Sequence, residues 1–414
     1  MRIRIGYFDD STGKGGTTRY LFDLVRGLDR DAFEPVFFSP VAREWHEELR
    51  QLDVRIVGDL SLPASLPPVA VSEPTAQTLP ANRSPRLRLP KSVAWHLGLA
   101  KELRSLYRLF RQHEVDLFHS NNAGAEPAPI AAHWTGKPVV ATLHVDSDYD
   151  LTGERSIPRY RRLERFCFRS TDCAIAVSQQ TGRNWVARCK LDPQYISTRL
   201  RTIYNGIDSS RFQRSQVQVP AKQALGMEAN AFLIASAGRL EPAKGYEYLV
   251  KAIPLLVRTI PNAHVLIAGK GPLDAHLIEL ADRLGVRDRL HLAGFIPDVA
   301  GILNAADLYV QPSLCEALPY AVLEASGFGL PLVVSSAGGM PEIVRECENG
   351  LIVEPRSPQQ LADAIQKLAQ DAVMREHFGH TGRTRVPLKF SLKNMCSETM
   401  AIYRQLVRRE ALPS

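Results

Sequence analysis

The chain has 414 residues with 45% apolar and 23% charged side chains, ordinary for a globular protein and too long for one compact core, so two domains are expected. No run approaches the roughly 18 uninterrupted apolar residues of a membrane-spanning helix, and six scattered cysteines without a C-x-x-C spacing argue for reduced thiols in the cytoplasm, against a disulfide framework or metal site. The net charge is +7, and residues 1–208 carry 29 Lys+Arg against 24 Asp+Glu, so an anionic partner is a candidate for that half.

The opening MRIRIGYFDD reads as a strand rather than a signal peptide. The glycine-rich loop DDSTGKGGTTR follows, then a helix from Thr17 to Leu28 with Leu21, Leu24, Val25 and Leu28 on one face. Strand, Gly15-Gly16 loop and helix form a phosphate-cradle layout, without the G-x-G-x-x-G or Walker pattern; a simple tight turn is the alternative reading. EPVFF, VAREWHEELRQL and VRIV continue as strand, helix and strand. Residues 60–90 hold seven prolines and read as an irregular insertion. A long helix is expected over 91–112, with Trp95, Leu99, Leu103, Leu106 and Phe110 on its apolar stripe and Lys101, Arg104, Arg108 and Arg111 on the other face; it reads as core-packed or, more sharply, as a membrane-surface helix. Six arginines fall within 155–169. VDLFHSNN and KPVVATLHVDSD are strands of a parallel sheet covered on both faces. His119 and His144 fall at their carboxyl ends, where such sheets gather functional side chains, and Asp146 and Asp148 follow His144. RTIYNGID runs into an Asn205-Gly206 turn, and the boundary of this half is set near 208.

The second half restarts with AFLIASAG and again alternates strand, loop and helix. Its loops carry Arg239, Lys244, Gly269 and Gly271. The stretch PSLCEALPYAVLEASGFGLPLVVSSAGGMPEIV then places Glu316 and Glu324 eight positions apart, about two helical turns. Leu318–Ser326 reads as a short helix with Pro319 in its first turn, and Gly338-Gly339 opens another. Helices are expected at about 357–370 and 372–382, and a last one from Leu392 to Arg409.

These residues converge on one chemistry. Arg239 and Lys244, five apart on one loop, can clamp a diphosphate. Carboxylates suit sugar and ribose hydroxyls, each accepting hydrogen bonds. Cations and helix N-termini can stabilise a leaving diphosphate electrostatically, and no D-x-D motif at a strand end of the second half offers a metal in their place. A nucleotide-sugar site is the expectation, with no cofactor and no metal.

GKGGTTR, TLHVDSD, YNGID, GRLEPAKG, GKGPL, HLAGFIPD and the E-x7-E stretch 316–324 resemble the retaining GT-B glycosyltransferases of the glycosyl transferases group 1 family, in order along nearly the whole chain. The resemblance implies two Rossmann-like domains facing a cleft: 1–208 for the acceptor, 209–388 for the nucleotide-sugar donor, and a final helix, 389–414, packing back on the first domain. It implies that Glu316 contacts the donor sugar, Glu324 the ribose, Arg239 and Lys244 the diphosphate, and the backbone around Phe295 the base. Gly15 and Gly16 are to approach the diphosphate from the first domain, with His144 near donor sugar and acceptor. His119, Asp146 and Asn205 are acceptor-side candidates. Transfer with retention to a glycan or lipid-linked glycan follows, in polysaccharide, lipopolysaccharide or glycolipid assembly, at the inner membrane face, with no nucleic acid partner. A GT-B epimerase, a phosphorylase and a silent scaffold are the alternatives. The family usually has Gly after its first glutamate; Ala317 and Leu318 stand here instead, which leaves the donor sugar open.

Overall fold

The computed structural model describes residues 2–9, 15–39, 43, 45–58, 91–122, 127–145, 158–208, 210, 222–223 and 226–408. The proline-rich 60–90 insertion, Asp146 and Asp148 lie outside the described residues. The chain divides into two compact units, Met1–Thr142 with Pro158–Ala174 and Ile402–Ser414, and Leu143–Ile157 with Ile175–Ala401.

The first half supplies strands β1 (Ile3–Phe8), β2 (Phe33–Phe38), β3 (Arg55–Val57), β4 (Leu117–Ser120), β5 (Val139–Leu143), β6 (Cys173–Ala176) and β7 (Leu200–Thr202). They form one sheet in the order β3-β2-β1-β4-β5-β6-β7. Its helices are α1 (Gly16–Arg26), α2 (His46–Gln51), α3 (Lys91–Arg111), α4 (Ala128–His133), α5 (Pro158–Arg169), α6 (Gln179–Cys189) and α7 (Pro193–Arg199). The core beneath α3 joins Leu106, Phe110, Phe8, Phe38 and Phe118, so the apolar stripe of α3 packs inward. A cavity of about 600 Å³ lined by Arg4, Glu34, His113 and Asp116 opens at the amino ends of β1, β2 and β4, away from the strand ends that usually carry chemistry.

The second sheet has the order β10-β9-β8-β11-β12-β13, built from β8 (Phe232–Ala237), β9 (Ala263–Ala268), β10 (Leu290–Gly294), β11 (Leu308–Gln311), β12 (Leu332–Ser335) and β13 (Gly350–Val353). The central strands β11 and β12 are buried along their whole length, as expected where both faces are covered. Their helices are α8 (Tyr246–Val257), α9 (Asp274–Arg283), α10 (Ala300–Ala305), α11 (Tyr320–Gly327), α12 (Met340–Cys347), α13 (Pro358–Gln370), α14 (Ala372–Lys389) and α15 (Leu392–Arg408). Ile253, Leu277, Val310, Val333 and Ile365 meet in its core. Helix α14 continues seven residues beyond the expected 382, through Pro387 in its last turn, where only one carbonyl four residues back loses its partner. The end of α15 belongs to the first unit: the Tyr403 hydroxyl lies 2.5 Å from His119 Nδ1 and 3.2 Å from the Tyr7 hydroxyl. All six cysteines are buried, and none forms a disulfide.

Candidate active site

In each sheet the strand order reverses at one point, between β1 and β4 and between β8 and β11. Loops leaving two such strands diverge to opposite faces and open a crevice at their carboxyl ends. In the second unit the loop after β8 carries Gly238 to Lys244, and the loop after β11 carries Pro312 to Pro319. The topology therefore brings together Lys244 and Glu316, 72 positions apart in sequence.

Lys244 ends a short 3-10 turn, Pro242–Lys244. Its Nζ lies 2.5 Å from Glu316 Oε1, with 20% and 10% of the two side chains exposed. Burial disfavours the ammonium, but the adjacent Glu316 carboxylate outweighs it by charge and hydrogen bond, so the Lys244 pKa is raised. Lys244 is thus held charged at the crevice. The turn that presents Lys244 depends on Gly245, which caps α8 with a φ of +64° and stands where a Cβ would collide with the Pro312 carbonyl oxygen. Glycine fits both the dihedral and the close approach.

Helix α11 starts at Tyr320, two residues later than the expected Leu318. Pro319 is extended and stands at the N-cap, because an extended ψ at that position leads the Glu316 loop into the helix axis. Glu324 lies one turn into α11 and is half-buried. The Gly338-Gly339 turn opens α12 against this loop, with the Gly339 N–H donating to the Ala317 carbonyl at 2.8 Å. A Cβ on Gly339 would clash with that carbonyl oxygen.

The remaining candidates divide. Arg239 lies on the same loop as Lys244 but is 75% exposed in its side chain and 3.7 Å from Glu241, so the two cations are unlike: one is held in the crevice wall, the other is open to solvent. Gly271 begins the turn into α9, its N–H held by Asp274 Oδ1 at 2.8 Å. Phe295 follows β10 with 67% exposure, and the carbonyl of the preceding Gly294 accepts from Gly269 at 2.7 Å. Asn205 is buried in the second unit, where its Nδ2 donates to the Leu318 carbonyl at 2.8 Å. His144 follows β5 and is half-buried. Gly15 and Gly16 are exposed at the start of α1. His119 is a core residue of the first unit. It is 0% exposed, with Nε2 2.7 Å from Thr142 Oγ1 and Nδ1 on Tyr403. Its strand-end position does not present it to a ligand, since α15 covers it.

Residues 220–385 match the model of Glycosyl transferases group 1, and residues 14–211 match that of Glycosyltransferase Family 4. UDP-Gal:alpha-D-GlcNAc-diphosphoundecaprenol alpha-1,3-galactosyltransferase of Escherichia coli is 30% identical over 281 residues, covering 66% of this chain and 71% of that protein. D-inositol 3-phosphate glycosyltransferase of Saccharomonospora viridis is 32% identical over 311 residues, with 70% of each chain covered. The chain belongs to the glycosyl transferases group 1 family. Among solved structures, Anabaena HepE in complex with UDP-glucose aligns with a TM-score of 0.74 at 21% identity, covering 98% of this chain and all of that one. WaaG, a glycosyltransferase involved in lipopolysaccharide biosynthesis, aligns with a TM-score of 0.69 at 17% identity, covering 96% of this chain and 99% of that one. These likenesses, with the two parallel sheets, show the GT-B fold.

This group 1 glycosyltransferase holds three features that motif reading passes over. Asp9 and Asn121 mark the switch point of the first sheet, joined by an Nδ2–Oδ2 hydrogen bond of 2.6 Å; the signal is a polar residue at the end of each of two central strands. Gln311 and Ser313 lie buried beside Glu316; the signal is polar residues at period two in an otherwise apolar strand. Glu342, in the first turn of α12, spans the amides of Gln179 and Gln180; a lone Pro-Glu pair after a glycine turn gives no hint of so distant a partner. Among the described residues there is no helix long and apolar enough to cross a membrane.

Proposed function

We propose that this glycosyltransferase moves a sugar, with retention, from a nucleotide-diphosphate sugar to an acceptor hydroxyl. The half-buried Lys244–Glu316 pair at the β8/β11 switch point carries this reading. In it the arriving donor takes over both charges. Lys244 turns from the carboxylate to the diphosphate, joined by Arg239 and the N-terminus of α8. Glu316 is released to accept hydrogen bonds from hydroxyls of the donor sugar. Glu324 takes the ribose, and the backbone around Phe295 the base.

As the bond from the anomeric carbon to the phosphate oxygen breaks, negative charge grows on the diphosphate. Fixed cations stabilise it most where water is scarce. The acceptor oxygen bonds to the anomeric carbon on the face the phosphate leaves, and its proton passes to the departing phosphate oxygen. Atoms and charge balance without a further reactant; this reading gives the cationic work to Lys244 and Arg239 and includes no metal. His144 is the second catalytic residue of this scheme beside Glu316, near the donor sugar and the acceptor. The nucleotides named for the HepE complexes support a nucleotide-sugar donor.

The acceptor is a glycan or lipid-linked glycan in cell-surface polysaccharide or glycolipid assembly, reached at an anionic membrane surface. Two helices support this. On α3, Leu97, Lys101, Arg104, Arg108 and Arg111 recur at helical spacing along one stripe and are exposed, with no exposed acidic residue among the described side chains of the helix. On α5, Arg161, Arg162 and Arg169 are exposed around Phe166, itself 57% exposed. An apolar side chain set among cations suits a lipid interface.

The test is nucleotide release and product formation with donor and acceptor present. Glu316→Ala and Lys244→Ala are each expected to lower kcat by about 10²–10³, the scale for losing one preorganised electrostatic group. Full turnover in both variants would overturn the assignment.

A further inference from the structure

A chain of buried hydrogen bonds ends on Glu316. Strand β11 alternates, so Tyr309 and Gln311 share one face while Leu308 and Val310 take the other, and Ser313 continues the period beyond Pro312. Tyr309, Gln311 and Ser313 are 0%, 1% and 0% exposed. The Ala237 N–H donates to the Tyr309 hydroxyl at 3.0 Å. That hydroxyl donates to Gln311 Oε1 at 2.8 Å, and Gln311 Nε2 donates to Ser313 Oγ at 2.9 Å. The Ser313 hydroxyl donates to Glu316 Oε1 at 2.9 Å. Lys244 Nζ reaches the same oxygen.

Two aspects set this chain apart from ordinary satisfaction of core polar groups. Every donor points toward the carboxylate, and hydrogen bonds in series polarise one another in that direction. Both terminal donors also converge on a single oxygen, Oε1, while among the described residues no hydrogen bond reaches Oε2. Burying three polar side chains costs stability unless all are bonded, and a valine and an alanine would serve packing alone.

We infer that Gln311 and Ser313 are positioning residues for the transfer reaction, given that Glu316 is the donor-sugar contact proposed above. They hold Glu316 by Oε1, supply the donor that remains when Lys244 leaves for the diphosphate, and so keep Oε2 aimed at one hydroxyl of the donor sugar. The site then selects a sugar that donates at this position; a deoxy or O-methyl sugar leaves Oε2 unpaired.

The experiment compares Ser313→Ala, Ser313→Thr and Gln311→Leu with Glu316→Ala as reference, measuring kcat and donor KM, with the nucleotide-induced rise in Tm as a check on folding. Ser313→Ala is expected to lose about 10–100-fold in kcat with donor KM within about threefold, the pattern of an interaction realised in the transition state. Ser313→Thr, which restores a hydroxyl, recovers most of it. Gln311→Leu loses less, about 3–10-fold, since it weakens the Ser313 donor without removing it. Should Ser313→Ala fail to fold, Gln311→Leu decides, because Tyr309 keeps the Ala237 carbonyl at 3.3 Å as an alternative acceptor. Unchanged kcat in Ser313→Ala and Gln311→Leu beside an inactive Glu316→Ala overturns the inference alone. Loss confined to KM, or no recovery in Ser313→Thr, does the same. An active Glu316→Ala overturns the underlying assignment of Glu316 instead.

Discussion

The carboxylate of Glu342 accepts the backbone N–H of Gln180 at 2.7 Å. Its other oxygen accepts from Gln179 at 3.0 Å, and Arg183 lies 3.9 Å away. The first two amides of α6 have no partner within their own helix, and an anion there also meets the positive end of the helix dipole. Glu342→Ala is expected to destabilise by about 1–3 kcal/mol, lowering Tm by about 2–12 °C at roughly 2–4 °C per kcal/mol. Glu342→Gln keeps an acceptor oxygen and should melt between the two. Equal melting of all three would show the cap to be worth nothing.

His119 makes stability depend on pH. Burial pushes its pKa down to about 3, against about 6.5 unfolded. Between those values the unfolded chain binds a proton that the folded chain does not, so stability rises with pH. The contribution is complete above about pH 6.5 and is lost as pH falls toward about 3. Denaturant midpoints measured from about pH 7 to about pH 4 should fall more steeply for the native protein than for His119→Gln, which carries no titrating ring. Parallel curves would refute the prediction.

Gly245→Ala should damage the site through the backbone. It forces a side chain onto a φ of +64° and against the Pro312 carbonyl, costing about 1–3 kcal/mol for the strain alone. The turn can relieve this only by moving, which displaces Lys244. The expected outcome is a lower Tm together with a smaller nucleotide-induced rise in Tm. A variant with native nucleotide response would separate the turn from the site.

Charge reversal on α3 tests the membrane proposal. The stripe from Leu97 to Arg111 covers about 21 Å at 1.5 Å per residue. Binding to vesicles rich in anionic lipid should weaken with salt, and Lys101→Glu with Arg104→Glu and Arg108→Glu should abolish it, at about 1 kcal/mol per cation near the surface. Turnover with a short water-soluble acceptor should persist. Salt-independent binding would count against the proposal.

The alternation of strands and helices is legible because it is written in local periodicity. Helices α13 and α15 lie within two residues of their expected bounds. Glu316, Glu324, Arg239 and Lys244 are legible as residue types at strand ends. Their inequality is not: that Lys244 is paired with Glu316 while Arg239 faces solvent depends on β8 and β11 being neighbours, a non-local fact. The same applies to His119, whose fate is decided by Tyr403, 284 residues away. The sequence places the boundary of the first half near 208. Residues 175–208 nevertheless group with the second unit, through pairs such as Asn205 with Leu318 and Ile207 with Ser391, and nothing local in YNGID foretells those partners.

The six buried cysteines have a practical corollary. A maleimide in solution reaches a thiol here only when the fold opens, so labelling speed is a clock for local breathing. Cys315, the shallowest at 8% and adjacent to Glu316, times the crevice, and ligand occupancy should slow it. While the fold holds, all six thiols stay buried, and one cysteine added at an exposed position becomes the single address for a thiol-reactive dye.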